Sequence, residues 1–308
     1  MAIKKILITG SSGTIGTRLC EKLLEKDYKI IGVDIRSNKW SKKINKLTMI
    51  ADLRDRRTFK HLPKDVDLVI HLAANARVYN LIVDPNLARD NFEILFNTLE
   101  FCRKNNIKRF IFASSREVYG NSEQMLHAET GAYVRNSESP YAASKIGGEA
   151  LIYAYNRCYG MNFVVIRFSN VYGMYDDSDR IIPLFIGLTR ENKDLIVYGK
   201  EKLLDFTYID DAIAGILKSI ERFNRIKNEI FNIASGKSTS LLEVAGLIQK
   251  YMKGKNRIII KENRAGEVVR FVADISRAKE KISYEPETMI NSGVRKSVKW
   301  YRENLNNE

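Results

Sequence analysis

Short runs of β-branched and other apolar residues alternate with longer amphipathic stretches from the N-terminus onward, the pattern of strand–helix–strand units that feed a parallel sheet. This patterning predicts strands over Lys4–Thr9, Lys29–Asp34, Thr48–Asp52, Leu68–Leu72, Arg109–Ala113 and Asn162–Arg167. Helices are expected over Thr14–Lys26, Pro85–Asn106 and Tyr141–Tyr159. The segment Leu68-Val69-Ile70-His71-Leu72 is apolar nearly throughout, as a strand covered on both faces requires. Beyond Val171 the rhythm loosens into a polar loop at Asp176–Arg180, a strand–helix pair over Asp205–Arg222, shorter elements and a last helix near Ser292–Asn304. The implied class is α/β: a doubly wound parallel sheet over residues 1–171, to which the chain returns at about 204–232, with a smaller α/β portion over 172–308.

Composition narrows the function classes only a little. Of 308 residues, 44% are hydrophobic and 29% charged, with five prolines, so a folded globular chain is expected and wholesale disorder is excluded. Lys and Arg number 51 against 37 Asp and Glu, a net charge of +14 that attracts phosphate on a nucleic acid, a membrane surface or a small substrate. The basic residues are dispersed and not interleaved with aromatic stacking platforms, so no nucleic-acid partner is expected. Cys20, Cys102 and Cys158 lie far apart, which fits reduced thiols and neither a disulfide framework nor a metal site. No run approaches the ~18 apolar residues of a membrane span, and the first ten residues read as a strand, so a cytoplasmic protein off the membrane is expected.

Between the first strand and first helix stands Gly10-Ser11-Ser12-Gly13-Thr14-Ile15-Gly16. Glycines there let the chain turn tightly and bring backbone N–H groups to a pyrophosphate, which also meets the positive end of the helix dipole. Asp34 closes the second strand, where a carboxylate accepts from a ribose 2′-OH. These features mark the sheet as Rossmann-like. Asp34 disfavours a 2′-phosphate and so favours NAD over NADP, with Arg36 two residues on as the opposing charge.

Ser139-Pro140-Tyr141-Ala142-Ala143-Ser144-Lys145 sets Tyr141 and Lys145 four apart, on one helical face. A nearby ammonium is expected to lower the phenol pKa toward that of a general base, and Lys145 can also bond a ribose. Ser114 and Ser115 follow the fifth strand at the carboxyl end of the sheet, where a hydroxyl can join Tyr141 in gripping a substrate alcohol.

Together and in this order, these motifs resemble the extended short-chain dehydrogenase/reductase family, and within it the NAD-dependent sugar-nucleotide epimerases and dehydratases, over essentially the whole chain. The resemblance rests also on Asp52-Leu53, His71-Leu72-Ala73-Ala74, Val118-Tyr119-Gly120, Arg167 to Gly173 and Asp205 to Asp211. It implies that Ser115, Tyr141 and Lys145 form a catalytic triad, that Asp52 and Leu53 flank the adenine, and that Leu72, Ala73 and Ala74 line the dinucleotide. It implies further that Asn170 contacts a substrate diphosphate, that Arg264 grips a phosphate and Glu267 a nucleoside ribose, and that two copies pair through a four-helix bundle including the Tyr141–Tyr159 helix. Asn75 and Arg77 lie where substrate contacts are usual in that family.

Two departures bear on the reaction. The family's glucose dehydratases carry Asp-Glu before Val-Tyr-Gly, whereas this chain has Arg116-Glu117: Glu117 matches the base, but Arg116 cannot donate a proton. Leu204 stands where relatives commonly place a phosphate-binding Arg, leaving Arg77, Arg180 or Lys202 to compensate. An epimerase needs no acid or base beyond the triad, so the first expectation is a nucleotide-sugar 4-epimerase of the UDP-glucose/UDP-galactose type. A 4,6-dehydratase or decarboxylase using Glu117 stands second, and a non-catalytic dinucleotide-binding or nucleic-acid-binding protein third.

Overall fold

The computed structural model of the chain describes residues 3–122, 124–263 and 268–305. Arg264 and Glu267 lie outside the described residues. The first half contains β1 (Lys5–Thr9), α1 (Thr14–Glu25), β2 (Lys29–Asp34), α2 (Lys42–Lys46), β3 (Thr48–Ile50), β4 (Leu68–His71), α3 (Val78–Val83), α4 (Asn86–Lys104), β5 (Arg109–Ser115), α5 (Pro140–Tyr159) and β6 (Asn162–Phe168). The second half contains β7 (Asn170–Tyr172), α6 (Ile181–Arg190), β8 (Leu195–Tyr198), β9 (Leu203–Tyr208), α7 (Ile209–Glu221), β10 (Glu229–Ile233), β11 (Ser238–Ser240), α8 (Leu241–Met252), β12 (Ile258–Lys261), β13 (Arg270–Phe271), α9 (Ser276–Ile282) and α10 (Ile290–Leu305).

Seven of these strands form one parallel sheet in the order β10-β6-β5-β4-β1-β2-β3. The order reverses beside β1, which opens the crevice where doubly wound sheets bind ligands. Period-2 alternation explains why both faces are covered: Ile6 and Ile8 pack into one apolar cluster, whereas Leu7 packs into another with Val69 and Phe110. β9 joins β7, β11 and β13 in a second sheet, and β8 pairs β12 in a third. The return to the large sheet is therefore made by β10, with α7 held against α1 by the Arg18–Asp210 ion pair at 2.7 Å. β9 itself stays with the smaller sheet.

Strand and helix ends follow local chemistry. α5 opens on a Ser139 cap whose Oγ accepts the Ala142 N–H at 3.2 Å, with Pro140 in the first turn, and closes on Gly160 in the left-handed region. β5 runs two residues further than the pattern predicts, because Ser114 and Ser115 keep their parallel register against Arg167 and Phe168. β3 stops at Ile50, so Asp52 lies in the loop beyond it. The six-residue α3 was not expected; it is too short to show a helical period. Among the described residues no helix is long and apolar enough to cross a membrane.

Candidate active site

The glycine loop has the shape its sequence requires. Gly10 adopts φ +75°, and a Cβ there would meet the Ala73 backbone nitrogen at 2.8 Å; a Cβ on Gly16 would strike the Gly10 carbonyl at 2.0 Å. Gly13 caps α1 without any side-chain bond, and the first turn carries no acidic residue, so the positive helix end faces the crevice unneutralised. Asp34 spans the loop, its Oδ2 accepting the Ser12 N–H at 2.9 Å and its Oδ1 the Arg36 N–H at 3.0 Å. Arg54 grips both oxygens of Asp52, holding that carboxyl below the usual carboxylate range, and Leu53 is buried beside it. An unblocked helix N-terminus, a cradle that a Cβ would fill and a carboxylate at the end of β2 fit a dinucleotide. Gly10 to Gly16 would hold its pyrophosphate, Asp34 a ribose and Asp52 its adenine, with Ile15, Leu72, Ala73 and Ala74 as the apolar wall.

Beside this loop opens a cleft of about 360 Å³ whose wall includes Ser115, Glu117, Tyr141, Lys145, Asn170 and Leu204. Tyr141 and Lys145, one turn apart on α5, are both buried, and the Tyr141 phenol is hydrogen-bonded with Ser115 at the end of β5. Lys145 Nζ donates to the Ala113 carbonyl at 2.9 Å and stands 5.7 Å from the centre of the Tyr141 ring. Burial pulls the Lys145 ammonium down to about 8, opposed by the Glu149 charge one turn on. The expectation that Lys145 lowers Tyr141 is corrected here. Burial dominates and pushes the phenol up, offset in part by the Ser115 bond and by the Arg180 and Arg116 charges, while Glu117 adds to the rise. The reason is that removing the phenol from water disfavours its charged form by more than the surrounding hydrogen bond and positive charges recover.

Arg116 and Glu117 form an ion pair at 2.8 Å inside the cleft wall, and Arg116 Nε donates to Asn170 Oδ1 at 3.2 Å. Asn170 in turn donates to the Asp205 carbonyl at 2.8 Å, so the amide expected at a diphosphate is already held at both ends. Leu204 is buried in the wall, and Lys202 lies near it. Arg77 and Arg180 also line the cleft, but each engages an acid of the 176–179 loop: Arg77 pairs with Asp179, and Arg180 lies 3.6 Å from Asp176. Asn75 is turned away, its amide donating to the Leu87 carbonyl at 3.2 Å and its N–H to Asn91 Oδ1 at 2.7 Å. It forms no part of the wall.

Sequence reasoning gave the loop after β7 a role only through Arg180 and did not single out Tyr175, which crosses to the glycine loop: Thr14 Oγ1 donates to the Tyr175 carbonyl at 3.1 Å, and the Tyr175 hydroxyl to Glu21 at 2.8 Å. Nor did it single out Glu149, whose only visible signal is its place four residues beyond Lys145.

Comparison with known proteins bears on what such a cleft serves. A putative UDP-glucose 4-epimerase of Methanocaldococcus jannaschii is 35% identical, the match covering 97% of this chain and 99% of that one. A UDP-glucuronate 4-epimerase of Thermodesulfobacterium geofontis is 30% identical over 97% and 96% of the two chains. The crystal structure of UDP-glucose 4-epimerase with UDP-glucose from Thermotoga maritima superposes with a TM-score of 0.89 at 28% identity, covering 98% and 99%. Residues 6–234, from β1 through the return strand β10, match the model of a single family. The chain therefore belongs to the NAD-dependent epimerase/dehydratase family, and its cofactor is NAD.

Proposed function

We propose that the protein is a nucleotide-sugar 4-epimerase of the UDP-glucose/UDP-galactose type. The observation that carries this reading is the ion pair of Glu117 with Arg116, set beside a Ser115–Tyr141–Lys145 cluster. Elimination of water across neighbouring sugar carbons needs an added acid as well as a base. Arg116 occupies the place of that acid and cannot give up its proton. The relatives named above support the nucleotide and the reaction; two of them are named for UDP-glucose and one for UDP-glucuronate.

In this reading Ser115 and Tyr141 hold the sugar 4-hydroxyl, and Tyr141 takes its proton as the C4 hydrogen leaves as hydride. NAD, when bound, supplies the hydride acceptor, returns the hydride, and brings a positive ring charge that favours the phenolate. Lys145, fixed by the Ala113 carbonyl, holds the Tyr141 side of the helix against the crevice. The keto sugar then turns its other face, and Tyr141 returns the proton as C4 is reduced. Burial of Tyr141 and Lys145 keeps water from the proton being moved.

We read residues 1–171 together with α7 and β10 as the NAD-binding unit and the remainder as the nucleotide-sugar unit. Homodimerisation through α4 and α5 is supported by Phe92, Phe96, Tyr153 and Tyr159, large apolar side chains left more than a third exposed.

The test is incubation with NAD and UDP-glucose, followed by mass spectrometry and proton NMR. An unchanged mass with inverted coupling at the C4 proton is expected. Loss of water or carbon dioxide would overturn the reading and make Glu117 the base.

A further inference from the structure

Two neighbouring side chains in the cleft wall each keep one buried polar atom without a partner. Arg116 commits Nε to Asn170 and Nη2 to Glu117, which leaves Nη1 with no acceptor; Glu117 commits Oε1 to Arg116, which leaves Oε2 with no donor. Their side chains are only 11% and 6% exposed. An orphaned donor or acceptor out of contact with water is destabilising, so a matched pair of them points to a ligand group. Both residues follow directly on Ser115 and line the same cleft as Tyr141. The pair is also fixed: the guanidinium stands 5.7 Å from the centre of the Phe271 ring, and Asn170 anchors Nε to the second sheet through the Asp205 carbonyl.

We propose that Arg116 and Glu117 read the substituent next to the carbon on which Tyr141 works, selecting a neutral hydroxymethyl group over a carboxylate. The inference rests on the epimerase reading above and names its substrate class: nucleotide-diphosphate hexoses in preference to the corresponding hexuronates. A hydroxyl gives its hydrogen to Glu117 Oε2 and accepts one from Arg116 Nη1, so both orphans are matched. A carboxylate can only accept. It serves Nη1, leaves Oε2 unpaired, and brings a second negative charge against the first. Arg116 alone would favour the hexuronate; Glu117 reverses that preference.

The experiment is calorimetric titration of the NAD-loaded protein with UDP-glucose, UDP-glucuronate and UDP, paired with product analysis by NMR. The native chain is expected to bind UDP-glucose about tenfold or more tightly over UDP-glucuronate. Glu117→Gln is expected to cut that ratio by about tenfold, mainly through tighter UDP-glucuronate, with UDP affinity unchanged. Arg116→Gln leaves the carboxylate alone and is expected to widen the ratio while weakening both sugars. Equal affinity of the native chain for the two sugars overturns the inference. So does an unchanged ratio in both variants while UDP still binds. Because selectivity is read from binding, the two readings separate: selective binding with loss of water defeats the epimerase reading alone, and C4 inversion with an unchanged ratio defeats this inference alone.

Discussion

Glu149 and Arg167 meet in a two-point ion pair between α5 and β6, Arg167 Nε donating to Oε1 at 2.9 Å and Nη2 to Oε2 at 2.7 Å. Ser114 donates to the same Oε1 at 2.5 Å, and Arg167 Nη1 reaches the Tyr119 hydroxyl at 3.1 Å and the Glu129 carbonyl at 2.7 Å. The pair thereby ties together the end of β5, the 3₁₀ turn after it and the helix that carries Tyr141 and Lys145. Removing one partner strands a buried charge, so Glu149→Ala is expected to cost about 3–5 kcal/mol of stability, read by chemical denaturation. A cost under about 1 kcal/mol would show that the network is not a unit.

Tyr141→Phe keeps the ring and its packing but removes the atom that moves the proton. Turnover is expected to fall by about 10²–10⁴-fold while NAD remains bound, as followed by cofactor absorbance on the purified variant. Full activity in this variant would remove Tyr141 from the mechanism.

Asp34 both braces the glycine loop and presents a carboxylate to a ribose. Asp34→Ala is expected to weaken NAD about tenfold or more and to raise NADP affinity relative to NAD, since the charge opposing a 2′-phosphate is gone and Arg36 remains. Fluorescence titration with both cofactors checks this; parallel losses for the two would show a purely structural role.

His71 is buried between β1 and β5, bonded to Thr9 Oγ1 at 3.0 Å and stacked on Phe110 and Phe112. Burial, with the Lys145 charge adding, pushes its imidazole down to about 3. The unfolded chain takes up this proton below about pH 6.5 and the folded one does not, so stability falls as pH drops from about 6.5 toward 3. The loss from this one group amounts to several kcal/mol, on the order of 1.4 per pH unit crossed. Replacing His71 with Asn should flatten this part of the stability–pH curve relative to pH 7, measured by urea unfolding. An unchanged slope would contradict it.

Most of the fold was legible because its signals are local. The alternation of strand and helix, the Gly10–Gly16 loop, the Ser-Pro start and Gly stop of α5, and the Tyr141–Lys145 spacing each depend on residues within a few turns of one another. The strand that returns to the large sheet was harder to place, because β9 and β10 look alike as short apolar runs and only their partners differ.

What the chain determines by itself, then, is the kind of site: a dinucleotide crevice with a Ser–Tyr–Lys cluster at its mouth. What only tertiary structure decided is how each polar side chain there spends its bonds. Asp205 takes N–H groups from Ser235 and Gly236, far along the chain, and is closed off from water. Arg77 and Arg180, candidates for phosphate from their position alone, turn to Asp179 and Asp176. Arg116 turns to Glu117 and Asn170, and so leaves the one donor that the substrate reading depends on. A side chain's capacity for hydrogen bonds is written in its residue type, but its remaining capacity depends on neighbours that meet it only when distant segments pack.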